Sequence, residues 1–187
     1  VLAPERNWTA SGHTKTLDRP LRLRAVDLAP GLEAFASNGA PSDCVALALA
    51  GALEQPVDLV LSGINPGENV GDDLTYSGTL AAGLEAILWG KPAIAVSQQL
   101  RHGKPDFSAA MHAIALLLPE FIQNGFPANT LINVNAPAFP VSQIKGFQVC
   151  SQGKRLYTNA MEKRLDIRGN PYFWIGGDLI EGSETPG

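Results

Sequence analysis

The chain has 187 residues, 45% of them hydrophobic and 17% charged, which is enough for one packed core and within the usual single-domain range. Its net charge of −4, from 14 Lys and Arg against 18 Asp and Glu with no block of like charges, excludes the basic footprint of a duplex nucleic-acid binder. The longest apolar runs, such as Ala113 to Pro119, fall far short of the roughly 20 residues that cross a bilayer, and nothing at the N-terminus reads as a signal peptide. A soluble, cytoplasmic protein without a membrane partner is expected. The two cysteines, Cys44 and Cys150, cannot supply a disulfide framework and are expected as reduced, buried thiols.

In chain order, Val1 to Pro4 reads as a strand end entering a loop, so the chain is expected to begin mid-domain. The polar stretch from Pro4 to Thr16 follows, with Thr9 and Ser11 placed to face a site and Arg6 or Lys15 able to neutralise an anion. His13 in this loop reads as a surface or packing residue, His102 as part of an exposed turn and His112 as helical. Ser42 to Leu53 is expected to be a helix capped by Ser42 or Asp43. Asp58 to Leu61, between Pro56 and Ser62-Gly63, reads as a buried parallel strand covered on both faces. Pro92 to Ser97 and Thr130 to Val134 have the same character. Between these strands, Thr79 to Trp89 and Phe107 to Ile122 carry apolar residues at helical spacing, long enough to cross back over a sheet.

This alternation predicts an α/β fold, a Rossmann-like three-layer arrangement around a mostly parallel sheet, with ligands outside the carboxyl ends of the strands. From about Pro137 the pattern changes to β-like pieces, Gln143 to Val149 and Pro171 to Ile175, separated by charged loops. They read as a protruding C-terminal hairpin or arm of one domain over 1–187, and Glu181 to Gly187 reads as a loop leading onward.

The stretch from Ser62 to Thr79 concentrates glycine, asparagine, aspartate and small hydroxyl residues between a strand and a helix, and is longer than most such connections. Glycines permit close backbone approach to a ligand, and a helix starting near Ser77 offers unpaired N–H groups and the positive end of its dipole to an anion such as phosphate. Ser77 and Thr79 can add hydroxyl donors, and Asn65 and Asn69 can offer carbonyl oxygens to a hard divalent cation. The competing reading makes Ser77 or Thr79 a helix cap and the Asn and Gly residues turn formers. Asp72-Asp73 is either an acidic metal pair or a turn element. No P-loop, dinucleotide fingerprint, zinc spacing or Gly-x-Ser-x-Gly elbow is present.

Ala3-Pro4-Glu5-Arg6-Asn7, Leu17-Asp18-Arg19-Pro20-Leu21, Gly39-Ala40-Pro41-Ser42-Asp43-Cys44-Val45 and above all Ser62 to Glu85 resemble the SurE, or survival protein E, family. The resemblance runs from the first residue to Tyr172-Phe173-Trp174-Ile175-Gly176. It implies a Rossmann-like core with a protruding hairpin, homodimeric or homotetrameric assembly, and an acid-phosphatase-like nucleotidase that uses Mg or Mn to hydrolyse nucleoside 5′-monophosphates, with 3′-monophosphates as further candidates, to nucleoside and phosphate. By the same resemblance Asn65 matches a metal ligand, and Thr9 falls where the family has a metal-binding serine. Asn69, Ser77, Gly78 and Thr79 match residues lining the phosphate site, while Asp72-Asp73 becomes a loop-forming element. The family's acidic pair, in an Asn-Asp-Asp-Gly motif, has no match here and is expected upstream of residue 1, as the family's C-terminal segment is expected beyond residue 187. The runner-up is a non-catalytic phosphate- or nucleotide-binding scaffold on the same fold. A nucleotide-dependent oxidoreductase is disfavoured by the missing fingerprint.

Overall fold

A computed structural model describes residues 1–100, 106–158, 160–177 and 179–183. The chain divides into two compact units, one of Val1–Asn69 with Leu74–Gly146 and one of Val70–Asp73 with Phe147–Gly187.

The larger unit holds two small sheets. In the first, β1 (Leu2–Pro4) runs parallel to β3 (Phe35–Ser37), which pairs antiparallel with β2 (Leu23–Ala25). The second is wholly parallel, with β4 (Val60–Pro66), β5 (Ala93–Gln98) and β6 (Leu131–Ala136) in that spatial order. Each parallel pair is joined through a helix, α2 (Gly78–Leu88) between β4 and β5 and α3 (Ser108–Asn124) between β5 and β6. Along β5 the alternation of side chains sorts the two helices onto opposite faces. Ile94 and Val96 pack with Ala109 and Ala110 of α3, while Ala93 packs with Ala82 and Ala86 of α2 and with Val45. The α/β expectation is thus met by a parallel sheet flanked by helices. Both crossovers step in the same direction across the sheet, so helices on opposite faces require crossovers of opposite hand, and one departs from the usual right-handed βαβ connection.

All six residues of β5 are buried, including Ser97 and Gln98. Their polar groups are answered from outside the strand, Gln98 Oε1 accepting from the Ala110 amide at 2.9 Å and Ser97 Oγ from Asn69 Nδ2 at 2.6 Å. Leaving such groups unpaired would cost about 1–3 kcal/mol each.

Several expectations are corrected. The strand read as Asp58 to Leu61 with both faces covered runs instead from Val60 to Pro66 and lies at one edge of its sheet, leaving Leu61 45% exposed. A bulge between Ser62 and Asn65 lets pairing with β5 resume at Asn65↔Ser97, so Asn65 sits on the strand rather than in the loop after it. Gly63 makes this possible: its φ is +127°, and a Cβ there would lie 2.3 Å from the Val96 carbonyl oxygen. The first helix, α1 (Pro41–Leu47), continues into one wider turn over Ala48–Ala52 and is entered from Ala40, not Ser42 or Asp43; Asp43 instead accepts the Ala40 amide at 2.8 Å from inside the first turn. Cys44 is buried, and burial, opposed by a hydrogen bond with Ser37, pushes its thiol up to about 11, whereas Cys150 is exposed. Gln143 to Val149 forms no strand; Val141–Gln143 is a single 3-10 turn followed by irregular backbone.

The smaller unit contains two antiparallel pairs, β7 (Lys154–Tyr157) with β10 (Leu179–Ser183) and β8 (Ala160–Leu165) with β9 (Pro171–Gly176). The β8–β9 turn is built by Asp166, whose Oδ1 accepts the Arg168 and Asn170 amides at 2.8 Å each, with Gly169 at φ +84°. β10 replaces the loop expected from Glu181, and residues 184–187, like the turn assigned to His102, lie outside the described residues. Segment 70–73 belongs to this unit because Gln152 Nε2 donates to the Gly71 carbonyl at 3.1 Å and Arg155 pairs with Asp73 at 2.8 Å.

Candidate functional site

A cavity of about 170 Å³ opens within the larger unit, lined by Asn7, Trp8, Thr9, Ala10, Pro41, Asn65, Asn69, Ser77, Gly78 and Thr79. The six residues matched to the site by the family resemblance, Thr9, Asn65, Asn69, Ser77, Gly78 and Thr79, meet there, whereas Ser11, expected to face the site with Thr9, is not among the lining residues. Four parts of the fold converge to make it: the loop after β1, the carboxyl end of β4 with the connection that follows it, the first residue of α1, and the start of α2.

Gly78 and Thr79 open α2, so their amides have no acceptor within the helix and lie at its positive end. Ser77 is the N-cap, its Oγ accepting the Leu80 amide at 3.2 Å, so the capping reading is realised for this residue while the residue still lines the cavity. Space at Gly78 is tight: an added Cβ would sit 3.2 Å from Pro41 Cγ and 3.5 Å from both Ser11 Oγ and the Trp8 carbonyl oxygen.

Asn65 is oriented by its own strand end, Nδ2 donating to the Gly67 carbonyl at 2.8 Å, which leaves Oδ1 as the amide atom available to a cation. Thr9 is held by Asn7, whose Oδ1 accepts both the Thr9 amide at 3.0 Å and the Thr9 hydroxyl at 2.7 Å; the hydroxyl oxygen keeps its lone pairs for another partner. Asn69 is 8% exposed and pinned from the neighbouring strands. Its amide donates to Asn135 Oδ1 at 2.8 Å, its Nδ2 to Ser97, and its carbonyl accepts from Asn133 and Asn135 at 3.1 and 3.0 Å.

Ser97, Asn133 and Asn135 were not singled out from the sequence. The available signal was two asparagines at i and i+2 inside the apolar run Leu131-Ile132-Asn133-Val134-Asn135, which places them on one face of a strand. Glu85 was missed as well, the lone acid in an otherwise apolar helix. It is 4% exposed and receives His13 Nε2 at 2.8 Å, Lys15 Nζ at 3.3 Å and Trp89 Nε1 at 2.9 Å. Burial raises its pKa, yet the hydrogen bonds from His13, Trp89 and Lys15 outweigh that and hold the carboxyl below the usual range.

Lys15 is therefore committed to Glu85, and Arg6 lies over the Trp8 ring, 4.4 Å from its centroid. Asp72 and Asp73 lie in the first turn of a 3-10 helix, Gly71–Tyr76, rather than in an irregular loop, and Asp73 is taken by Arg155 and by Tyr157. Among the described residues no carboxylate lines the cavity, and no group of three His, Cys, Asp or Glu could hold a metal. Two hard neutral oxygens, from Asn65 and Thr9, fit part of a divalent cation's shell. Trp8 Nε1 and Ser11 Oγ are buried without a partner among the described residues, which suits a site completed by a polar ligand.

The family model for survival protein SurE matches residues 1–159. A protein named 5′-nucleotidase SurE from Chloroflexus aggregans is 45% identical over 178 residues, covering 95% of this chain and 70% of its own length. One of the same name from Herpetosiphon aurantiacus is 44% identical over 190 residues, covering 100% and 74%. The crystal structure of SurE protein from Aquifex aeolicus superposes with a TM-score of 0.76 at 36% identity, covering 95% of this chain and 70% of that one. The sequence motifs, the parallel sheet with its cavity at the strand ends and these likenesses agree: the chain belongs to the SurE family.

Proposed function

We propose that this protein is a divalent-cation-dependent phosphomonoesterase that hydrolyses nucleoside 5′-monophosphates, with 3′-monophosphates as further substrates, to nucleoside and phosphate. The observation that carries this reading is that Asn65, Thr9 and the free amides at the start of α2 border one cavity. The names of the relatives support the same activity.

In this reading Asn65 Oδ1 and the Thr9 hydroxyl would hold Mg or Mn, and the chemistry such an ion would supply is polarisation of a phosphoryl oxygen and of water. The Gly78 and Thr79 amides and the Thr79 hydroxyl bind phosphoryl oxygens, where fixed dipoles aimed at developing charge are worth several kcal/mol, on the order of 3 per donor. Asn69, immobilised by Ser97, Asn133 and Asn135, keeps the back of the site in place. Water's oxygen bonds to phosphorus as the P–O ester bond breaks, and one of the water's protons ends on the departing nucleoside oxygen.

Among the described residues no carboxylate lines the cavity, which favours one other reading, a non-catalytic phosphate- or nucleotide-binding module. AMP hydrolysis with Mn, before and after EDTA, separates the two. Turnover that disappears on chelation and returns with added Mn supports the enzyme; full activity with metal content near zero removes the cation from it, and AMP binding without turnover selects the binding module. We further propose a cytoplasmic homodimer or homotetramer, with one domain over 1–187 arranged as three layers and a protruding C-terminal arm.

A further inference from the structure

The wall of the cavity that carries Thr9 has little to hold it locally. Residues 5–16 contain no helix or strand; besides short-range hydrogen bonds such as Ser11 to Trp8 and Thr14 to Gly12, the Glu5 and Gly12 amides donate to the Ser37 and Tyr76 carbonyls at 2.8 and 2.9 Å. Its outer half is fastened by Ser42, whose Oγ donates to the Thr14 carbonyl, and by two buried carboxylates from two helices. Asp43 of α1, 1% exposed, accepts the Thr16 amide at 3.0 Å and the Thr16 hydroxyl at 2.7 Å. Glu85 of α2 takes one oxygen to His13 and the other to Lys15.

Glu85 stands seven residues after Gly78, two turns along the same face of α2 and about 10 Å down its axis. The helix whose first amides form one wall of the cavity therefore also grips the loop that forms the opposite wall. The grip is registered: donors at 13 and 15 reach the two oxygens of one carboxylate, and Trp89, one turn further on, fixes its rotamer through Oε1. Apolar packing would tolerate a slide of the loop, whereas a buried carboxylate with these donors does not.

We infer that Glu85 is a positioning residue for this site: by holding His13 and Lys15 it sets Thr9 opposite Asn65 and the start of α2. The inference rests on the reading of Thr9 and Asn65 as cation ligands.

The test compares the parent protein with Glu85→Gln, Thr9→Val and the double variant, reading Mn affinity by calorimetry and hydrogen exchange segment by segment. His13→Ala, altered at a partly exposed side chain, serves if Glu85→Gln does not fold. The expected result is at least tenfold faster exchange across 7–16 with β5 unchanged, and about a tenfold loss of Mn affinity, as is usual when a ligand's support is removed. In the Thr9→Val background the loss of affinity should vanish, because the positioned ligand is already gone. An equal loss in both backgrounds, or exchange that rises evenly through the sheet, shows a merely structural role and overturns the inference, as does unchanged Mn affinity. A parent that binds Mn but does not hydrolyse AMP defeats the nucleotidase reading alone and leaves the role of Glu85 to be decided by affinity and exchange. A parent that binds no Mn overturns both.

Discussion

Asn65 Nδ2 donates to the carbonyl of Gly67, two residues on, at 2.8 Å, so the strand end itself decides which atom of the Asn65 amide faces the cavity. Asn65→Ala should lower Mn affinity and turnover together, by about 10–100-fold, while the melting temperature moves by no more than a few degrees. Asn65→Asp, which keeps an oxygen and adds charge, should lose less. Calorimetry and a thermal melt on the same samples check this; an unfolded Asn65→Ala protein would assign the residue to turn formation instead.

Ser77 has a structural duty that Thr79 lacks. Removing its oxygen in Ser77→Ala leaves the Leu80 amide uncapped and should cost about 1 kcal/mol. For a chain of this length that corresponds to roughly 2–4 °C in melting temperature. Ser77→Asp should recover the cap, since Asp serves equally well there, but should weaken phosphate binding by placing a negative charge at the anion site. Phosphate affinity and melting temperature should thus move in opposite directions between the two variants.

Gly63 and Gly67 both have positive φ, +127° and +117°, but differ in surroundings. A Cβ at 63 would sit 2.3 Å from the Val96 carbonyl oxygen, whereas at 67 its nearest neighbour would be Asn65 Nδ2 at 3.9 Å. Gly63→Ala should therefore suffer both backbone strain and a clash inside the β4–β5 pairing, a loss of at least about 3 kcal/mol. Gly67→Ala should suffer the strain alone, about 1–2 kcal/mol. Denaturant titration of the two variants gives the comparison directly, and equal losses would argue against the close approach.

Acid should release the loop after β1. The hydrogen bonds from His13, Trp89 and Lys15 hold Glu85 below its ordinary pKa despite burial, so its contribution is complete above the unfolded value of about 4.3 and is lost as pH falls through the lower folded one. The stability difference between the parent and Glu85→Gln should persist above pH 5 and shrink below about pH 4. Melting curves across that range measure it, and a difference that grows on acidification would reverse the assignment.

The smaller unit leaves much apolar surface in contact with solvent. Ile175 is 92% exposed, Trp174 63% and Phe173 52%, all on β9. Isolated two-stranded pairs are marginal in water, so a partner copy covering Gly146 to Trp174 is the expected use of this surface. Sedimentation at micromolar concentration should give a dimer or tetramer, and Trp174→Glu should shift it toward monomer; a monomeric parent would contradict the expectation.

The strands at β5 and β6, both crossover helices and the polar connection before α2 are all legible in the sequence. Their signals are local: an apolar run, a helical period, a cluster of glycine and hydroxyl residues. The match of Ser62 to Glu85 to its family was legible for the same reason. Pieces whose form depends on neighbours read less well. β4 extends to Pro66 because Asn65 pairs with Ser97 across a bulge, and Gln143 to Val149 has strand-like composition but pairs with no strand.

By itself, then, the sequence determined the family, the alternation of strands and helices, and which polar residues are chemically suited to a phosphate and a hard cation. Only the tertiary structure decided how those residues are held. Asn69 meets Ser97, Asn133 and Asn135 across separations of 28 to 66 positions, and Glu85 meets His13 across 72. Such contacts leave no trace in local periodicity, because a buried polar group is satisfied by whatever the fold brings within about 3 Å of it, and that partner is chosen by sheet order and helix placement rather than by the residues beside it in the chain.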